Sequence, residues 1–359
     1  MRQSLAVQVG SVTVGGGAPV SIQSMTNTDT ADLEATLAQI NRLVEAGCEI
    51  VRLAVPDEKA AQTLAVIKKN VNVPLVADIH FDYRLAIMAI KAGADKIRIN
   101  PGNIGGEEKL SRIIDLAGEK GIPIRIGVNA GSIPREVRAR HGGASAEALV
   151  ETVVRTLDFF ERHKFEKIVL SLKAADVTTM VQAYEEVARR VPYPLHLGIT
   201  EAGRGLKGIV KSTLGIGALL LKGIGDTLRV SLTGDPVEEI PVAREILQAA
   251  GLRRFGPEII SCPTCARCEI DLPAVVDIVE DIIKKNKLSA LPVKFAVMGC
   301  PVNGPGEARE ADVGVSGGRG FAIIFKEGKV EKKVPFTDLA EALQDTIMEL
   351  VSPAGNKTT

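Results

Sequence analysis

KIRINPGNIGGEEKLSRIIDLAGEKGIPIRIGVN, residues 96–129, decides the fold. Two short β-branched runs, KIRIN (96–100) and IRIGVN (124–129), flank EEKLSRIIDLAGEKG, whose apolar residues recur with helical period and which closes on a glycine. Period two marks the outer runs as strands, period 3.6 marks the middle as a helix, and glycine suits the left-handed residue that ends a helix. Strand, helix and strand in that order make a crossover between parallel neighbours. The unit repeats in both directions: VSIQSMT (20–26), IVRLAV (50–55) and LVADI (75–79) precede it, and KIVLSL (167–172), LHLGITE (195–201) and TLRVSL (227–232) follow it. Helical segments such as LEATLAQINRLVEAG lie between most of them. Eight strands in this alternation predict a (β/α)8 TIM barrel, with a doubly wound open sheet as the alternative.

Upstream, residues 4–14 alternate like a strand pair and predict a hairpin ahead of the barrel, with Gly15-Gly16-Gly17 as the turn into its first strand. Downstream, VEEIPVAREILQAAG reads as the eighth helix, and the polar stretch LRRFGPE (252–258) as a boundary between a barrel domain, 1–252, and a smaller α+β domain, 253–359. The second domain reads as strand, cysteine loop, helix (LPAVVDIVEDIIKK), strand (VKFAVM), second cysteine loop, glycine-rich hairpin (GFAIIFKEGKV) and final helix (TDLAEALQDTIMELV). The 359 residues suit a barrel of about 250 plus a module of about 100. The 44 basic residues balance the 44 acidic ones, which excludes a whole-chain field that would attract nucleic acid or a membrane surface. Any anion site must therefore be local. The N-terminal stretch lacks the apolar run of a signal peptide and no segment reaches the length of a membrane span, so the chain reads as cytoplasmic.

Period two also says which strand residues face the barrel axis. With Ile97 and Ile99 toward the helices, Arg98 and Asn100 point inward; the same rule turns Arg125 and Asn129 inward, and Arg52, Lys173, and Arg229 with Ser231 occupy comparable places. Five cations thus converge where barrel enzymes build their active sites. Buried charges are costly unless something compensates them. A bound polyanion would do so; the structural alternative is ion pairing at the rim with Asp29, Asp78 and Glu201. The cations outnumber those acids, and the planar arginine fork with Asn and Ser nearby suits phosphate oxygens, two phosphates in particular. Glu201, in GITEAGRG, is a candidate general acid or base, or else an ion-pair partner. His80 is a substrate contact or a loop residue, and His196, early in its strand, reads as core.

Of the five cysteines, Cys48 stands alone between a helix end and a strand and reads as a small buried hydrophobe. Cys262, Cys265 and Cys268 follow one strand and Cys300 the next. In a reducing compartment such clustering points to metal or redox chemistry. Four thiolates would suit zinc, although zinc ribbons use two close pairs and Cys300 is single. Three would suit a cubane cluster with one iron left for another ligand.

CPTC at 262–265, followed by MGCPVNGPGEAREADVG, resembles the cluster motif of the 4-hydroxy-3-methylbut-2-enyl diphosphate synthase family. SIQSMTNTDT, EIVRLAVP, VADIHFD, RINPGN, IRIGVN, LSLK, GITEAG and RVSLT resemble that family's barrel motifs, in the same order and over nearly the whole chain, as in its short bacterial form. The resemblance implies a [4Fe-4S] cluster held by Cys262, Cys265, Cys300 and Glu307. It implies reductive opening of 2-C-methyl-D-erythritol 2,4-cyclodiphosphate with loss of water, with two electrons from ferredoxin or flavodoxin. It casts Glu201 as the catalytic carboxylate and matches the cationic cup to the diphosphate. A carboxylate oxygen on iron is exchangeable, so Glu307 can yield its place to a substrate oxygen. Cys268 departs from the family's usual residue. The first strand also resembles pterin-binding barrels such as dihydropteroate synthase, which would make the chain a transferase with a metal-stabilised C-terminal domain. A zinc-stabilised binding protein is a third reading.

Chain direction predicts assembly. Helix eight must return the chain to the barrel end opposite the active site, and the seven residues from Leu252 to Glu258 reach at most about 25 Å. The cluster domain is therefore expected to serve the barrel of a second chain, in a head-to-tail homodimer with shared active sites.

Overall fold

The computed structural model describes residues 1–289, 291–300, 306 and 309–351. The chain divides into two compact units, Met1–Arg253 and Arg254–Thr359.

In the first unit a hairpin of β1 (Val7–Val9) and β2 (Val12–Val14) precedes β3 (Ser21–Met25), β4 (Ile50–Ala54), β5 (Leu75–Ile79), β6 (Lys96–Ile99), β7 (Ile124–Asn129), β8 (Ile168–Lys173), β9 (His196–Leu197) and β10 (Thr227–Leu228). Strands β3 to β8 pair in parallel in chain order, and β10 lies between β9 and β3. A parallel bridge from Leu170 to Leu195 joins the remaining edges, so the eight strands form a barrel rather than an open sheet. The last two strands are shorter than their sequences suggest. At Gly198 the chain runs so close to β10 that a Cβ would lie 2.9 Å from the Arg229 carbonyl oxygen, and regular pairing stops there.

The outer helices start and stop where the chemistry directs. Asp32, Asp57, Asp82 and Asp176 each accept a hydrogen bond from a first-turn backbone N–H, and Gly47 and Gly121 end their helices in the left-handed conformation. Two short helices, Pro101–Ile104 and Arg135–Arg140, were not expected. The first is set by Pro101 at its opening position and by Asn100, whose side chain accepts from Gly102 N–H.

The hairpin closes one end of the barrel. Val7, Val9 and Val14 pack against Ile50, Val76 and Val169 from β4, β5 and β8. The interior therefore opens at the C-terminal ends of the strands.

The second unit is a five-stranded sheet in the order β11 (Glu258–Ser261), β12 (Lys294–Met298), β13 (Val313–Gly318), β14 (Phe321–Lys326) and β15 (Lys329–Pro335). The first three are parallel and the last two antiparallel. Helices Leu272–Lys285 and Leu339–Val351 bring Val275, Val279, Ile282, Leu343 and Ile347 onto Phe295, Val297, Val315 and Ile324. Strand β13 was not foreseen, because the three glycines of VGVSGG weaken strand propensity. Packing overrides it: a Cβ on Gly317 would fall 2.5 Å from an Ile270 methyl.

Candidate active site

The inward residues stack in layers along the barrel axis. Asp78, on β5, accepts a 3.0 Å hydrogen bond from Arg98 and lies 3.8 Å from Arg52. Burial alone would raise the Asp78 carboxyl, but Arg52, the hydrogen bond to His80, Arg98 and Arg125 together hold it far below the usual carboxylate range. Burial, with Arg229 and Arg98 adding to it, lowers Arg52 to about 10 in spite of Asp78. Arg229 makes a two-pronged pair with Glu239, both contacts at 3.0 Å, and Ser24 Oγ donates to the same carboxylate at 2.7 Å.

The other cations have no such partner. Lys173 is buried, and burial, then Arg52, Arg125, Arg229 and Arg98, push its ammonium well below the usual value. Lys96 and Arg125 are 0% exposed, and among the described residues Lys96 Nζ and all three guanidinium nitrogens of Arg125 lack a hydrogen-bond partner. Among the described residues, the buried carboxylates Asp78 and Glu239 thus face Arg52, Lys96, Arg98, Arg125, Lys173 and Arg229, while a third buried carboxylate, Asp226, accepts from Ser4 Oγ and the Leu195 N–H. The excess charge is positive.

Above this layer, His80, Asn100, Asn129, Ser132, Thr200 and Glu201 line a cavity of about 410 Å³. His80 Nε2 lies 2.6 Å from Arg98 Nη1, which ties the cavity wall to the cations below. Asn129 Oδ1 is buried without a partner. Ser231, two residues beyond Arg229, is half-buried. Glu201 is exposed and sits at φ +55°, the left-handed region that costs an ordinary side chain about 1 kcal/mol or more. That strained backbone places Glu201 in the cavity wall. A larger hollow of about 660 Å³ lies on the outer helices, among His141, Glu151, Arg155 and Glu186, whose charges already pair with one another or with neighbouring arginines.

The ion-pair alternative therefore holds for only part of the set. Of the three acids expected at the rim, Asp78 pairs with arginine, while the Asp29 carboxylate accepts from the Ala31 N–H and Glu201 lines the cavity. Glu239 was missed. Its signal was present, since it shares the buried stripe of its helix with Ile240, Ala243, Ile246 and Leu247. Lys96 was missed as well, although it stands two residues before Arg98 and follows the same period. His196 is buried as expected, yet neither ring nitrogen has a partner.

In the second unit Cys262 follows β11, and Cys300 lies two residues beyond β12, at the same end of neighbouring parallel strands. The Gly299 N–H donates to Cys262 Sγ at 3.3 Å. A Cβ on Gly299 would lie 2.3 Å from Cys268 Sγ and 3.5 Å from Cys262 Sγ, so glycine alone leaves room for the sulfurs. Cys265 is exposed, and Thr264 beside it holds a left-handed φ of +58°. Among the described residues no three Cys, His, Asp or Glu side chains already stand at metal-ligand spacing. Glu307 lies outside the described residues. The donor set, a CxxC pair plus one thiol from the adjacent strand end with a backbone N–H on sulfur, fits a thiolate-held cluster. Cys48, in the barrel, is buried, and burial pushes its thiol up to about 12, as a core cysteine requires.

Residues 4–244 match the GcpE TIM-barrel domain and residues 258–349 the GcpE protein C-terminal domain. The chain belongs to the GcpE family. It is 54% identical over 344 residues to the 4-hydroxy-3-methylbut-2-en-1-yl diphosphate synthase (flavodoxin) of Geobacillus thermodenitrificans, covering 96% of this chain and 91% of that one. The enzyme of the same name from Bacillus subtilis is 53% identical over 341 residues, 95% and 90% of the two chains. Among solved structures, dihydropteroate synthase from Stenotrophomonas maltophilia superposes with a TM-score of 0.51 at 15% identity, over 69% of this chain and 98% of that one. That likeness shows the barrel fold alone.

Within this GcpE chain, the four clustered cysteines are not equivalent. Cys262 and Cys268 both pack against the core of the second unit, but the Cys268 thiol donates to the Ile270 carbonyl at 3.3 Å. The Cys268 sulfur is engaged with a carbonyl of its own loop, whereas Cys262 Sγ accepts a backbone N–H, as a metal-held sulfur does. Cys268→Ser is accordingly expected to keep its iron, and Cys262→Ser to lose it. Iron and sulfide analysis after anaerobic purification checks this; loss of iron from Cys268→Ser would reverse the assignment.

Proposed function

We propose that this chain opens 2-C-methyl-D-erythritol 2,4-cyclodiphosphate to 4-hydroxy-3-methylbut-2-enyl diphosphate, in the non-mevalonate route to isoprenoids. A ring C–O bond to phosphate breaks, a neighbouring hydroxyl takes a proton and leaves as water, and two electrons enter as the pair of the new C=C bond. The observation that carries this reading is the positive charge buried inside the barrel without compensation among the described residues, at Lys96 and Arg125 above all, in a chain 54% identical to a curated synthase of that product. Reduced flavodoxin, or ferredoxin, supplies the electrons, and the curated relatives carry flavodoxin in their names.

Arg52, Arg98, Arg125, Lys173 and Arg229, with Asn129 and Ser231, hold the two phosphates. Glu201 delivers or positions the proton at the departing oxygen. Cys262, Cys265, Cys300 and Glu307 hold a [4Fe-4S] cluster, which supplies single-electron transfer when bound. A transferase of the pterin-binding kind would need no such thiol site.

The two domains act as a homodimer with shared sites, each cluster domain serving its partner's barrel. The short linker supports this, as does an exposed apolar row on helix Gly205–Leu221, formed by Leu206, Val210, Leu214 and Leu221. The enzyme works in the cytoplasm; no helix among the described residues is long and apolar enough to cross a membrane.

The test is Glu201→Gln, which keeps shape and loses proton transfer. It is expected to bind the cyclodiphosphate with near-parental affinity and to turn over about a hundredfold or more slowly. Near-parental turnover would remove Glu201 from the chemistry.

A further inference from the structure

Among the arginines of the cup and beneath them lie polar groups that nothing among the described residues satisfies. Lys96 on β6, Arg125 on β7 and His196 on β9 are 0% exposed, and Gln23 on β3 is 1% exposed. Among the described residues Lys96 Nζ, the three Arg125 nitrogens, both His196 ring nitrogens and both Gln23 amide atoms find no partner. Below them the hairpin seals the barrel with Val7, Val9 and Val14. The groups that face Lys96 electrostatically are Arg125 and Arg52, and those that face His196 are Arg125, Lys173, Lys96 and Arg52. All are basic. Of the buried acids of this unit, Asp78 and Glu239 are already engaged by Arg98 and Arg229, and Asp226 by Ser4 Oγ, the Leu195 N–H and Arg2.

Two neighbouring cations cannot both stay charged in such a place without a counterion, since each costs several kcal/mol to desolvate and each raises the cost of the other. An arginine cannot release its proton. A lysine can, and buried lysines do. The burden of neutrality therefore falls on Lys96.

An anion in the cup reverses the local field. From this arrangement we infer that Lys96 rests as the free amine and takes up a proton from solvent when the cyclodiphosphate binds above it, so that its ammonium becomes an added counter-charge to the substrate. Burial, with Arg125 and then Arg52 adding to it, holds Lys96 well below its usual value in the ligand-free chain, as this requires. The inference rests on the substrate reading above and adds to it a proton that moves with binding.

The substrate makes the proton countable. Each of its two phosphoryl groups carries one ester and one anhydride bond and keeps a single strongly acidic oxygen without a titration near neutral pH, so protons taken up on binding belong to the protein. The experiment is calorimetric titration of the full-length, iron-loaded enzyme with 2-C-methyl-D-erythritol 2,4-cyclodiphosphate, anaerobically and without reductant, in buffers of different ionisation enthalpy. At about pH 8 the parent is expected to take up about one proton per ligand. Lys96→Met is expected to lose most of that uptake and to bind about tenfold more weakly or worse. An apolar side chain of similar size in place of an unpartnered amine should not lower the melting temperature, and Lys96→Gln, polar but not titrating, should lose the uptake as well. His196→Gln should keep it. Binding without proton uptake anywhere between about pH 6 and 9, or parental uptake in Lys96→Met, would overturn the inference while leaving the substrate reading intact. Absence of binding by the parent would overturn both.

Discussion

Arg229→Met will lower the melting temperature by roughly 10 °C, whereas Arg125→Met will leave it unchanged or raised and will weaken substrate binding instead. The two arginines face the same cup, yet the contrast follows from their partners. Arg229 neutralises Glu239, which is 1% exposed and also accepts from Ser24 Oγ and the Leu232 N–H. Removing the guanidinium leaves a buried carboxylate unpaired, which costs about 3–5 kcal/mol. Among the described residues Arg125 pairs directly with no carboxylate, Asp78 being held first by Arg52, His80 and Arg98, and its three nitrogens are unsatisfied. Exchanging it for an apolar residue of similar length removes a buried charge that folding must desolvate without return. Once a diphosphate is present the same guanidinium becomes a charge partner, and its loss costs about 2 kcal/mol or more of binding. Thermal unfolding of the ligand-free variants, with equilibrium binding of the cyclodiphosphate, separates the two effects. A drop in melting temperature for Arg125→Met as large as that for Arg229→Met would show that both are structural.

Chains carrying Glu201→Ala and chains carrying Cys300→Ser, each inactive alone, are expected to recover activity when refolded or co-expressed together. One of the two sites in a mixed dimer then combines an intact barrel with an intact cluster domain. With random pairing half of the dimers are mixed, so recovery should approach about a quarter of the parental rate. The expectation comes from the seven residues between Leu252 and Glu258, too few to bring a chain that leaves the closed end of its barrel back to its own mouth. Mixed dimers that form without recovering activity would mean that each chain completes its own site.

Much of this was legible in the residues, for identifiable reasons. In KIRIN and IRIGVN the isoleucines commit one face to the helices, so the cations between them have only the barrel interior left. Lys96 was equally legible by that rule, two residues before Arg98 on the same strand. Glu239 carried a signal of a different period: on a surface helix an acid is ordinarily solvated, and only its alignment with Ile240, Ala243 and Leu247 betrays burial. Strand β13 could not be read locally, because neighbours that need a residue without a side chain at Gly317 determine it, not propensity. The left-handed backbone of Glu201 had no sequence signal, since strain of that kind comes from the tertiary structure around it. The ligand role of Glu307 rests on its motif, outside the described residues.

The central claim is that a cationic barrel and a thiolate-held cluster act together on one cyclic diphosphate. The most direct test is anaerobic turnover of 2-C-methyl-D-erythritol 2,4-cyclodiphosphate by the purified, iron-loaded protein with reduced flavodoxin, following substrate, product and flavodoxin oxidation together. The account predicts 4-hydroxy-3-methylbut-2-enyl diphosphate as the product, with two electrons consumed for each molecule formed. An enzyme loaded with iron and sulfide that binds the cyclodiphosphate yet forms no product with any reduced flavodoxin or ferredoxin, or a purified protein that holds zinc in place of iron, would contradict it.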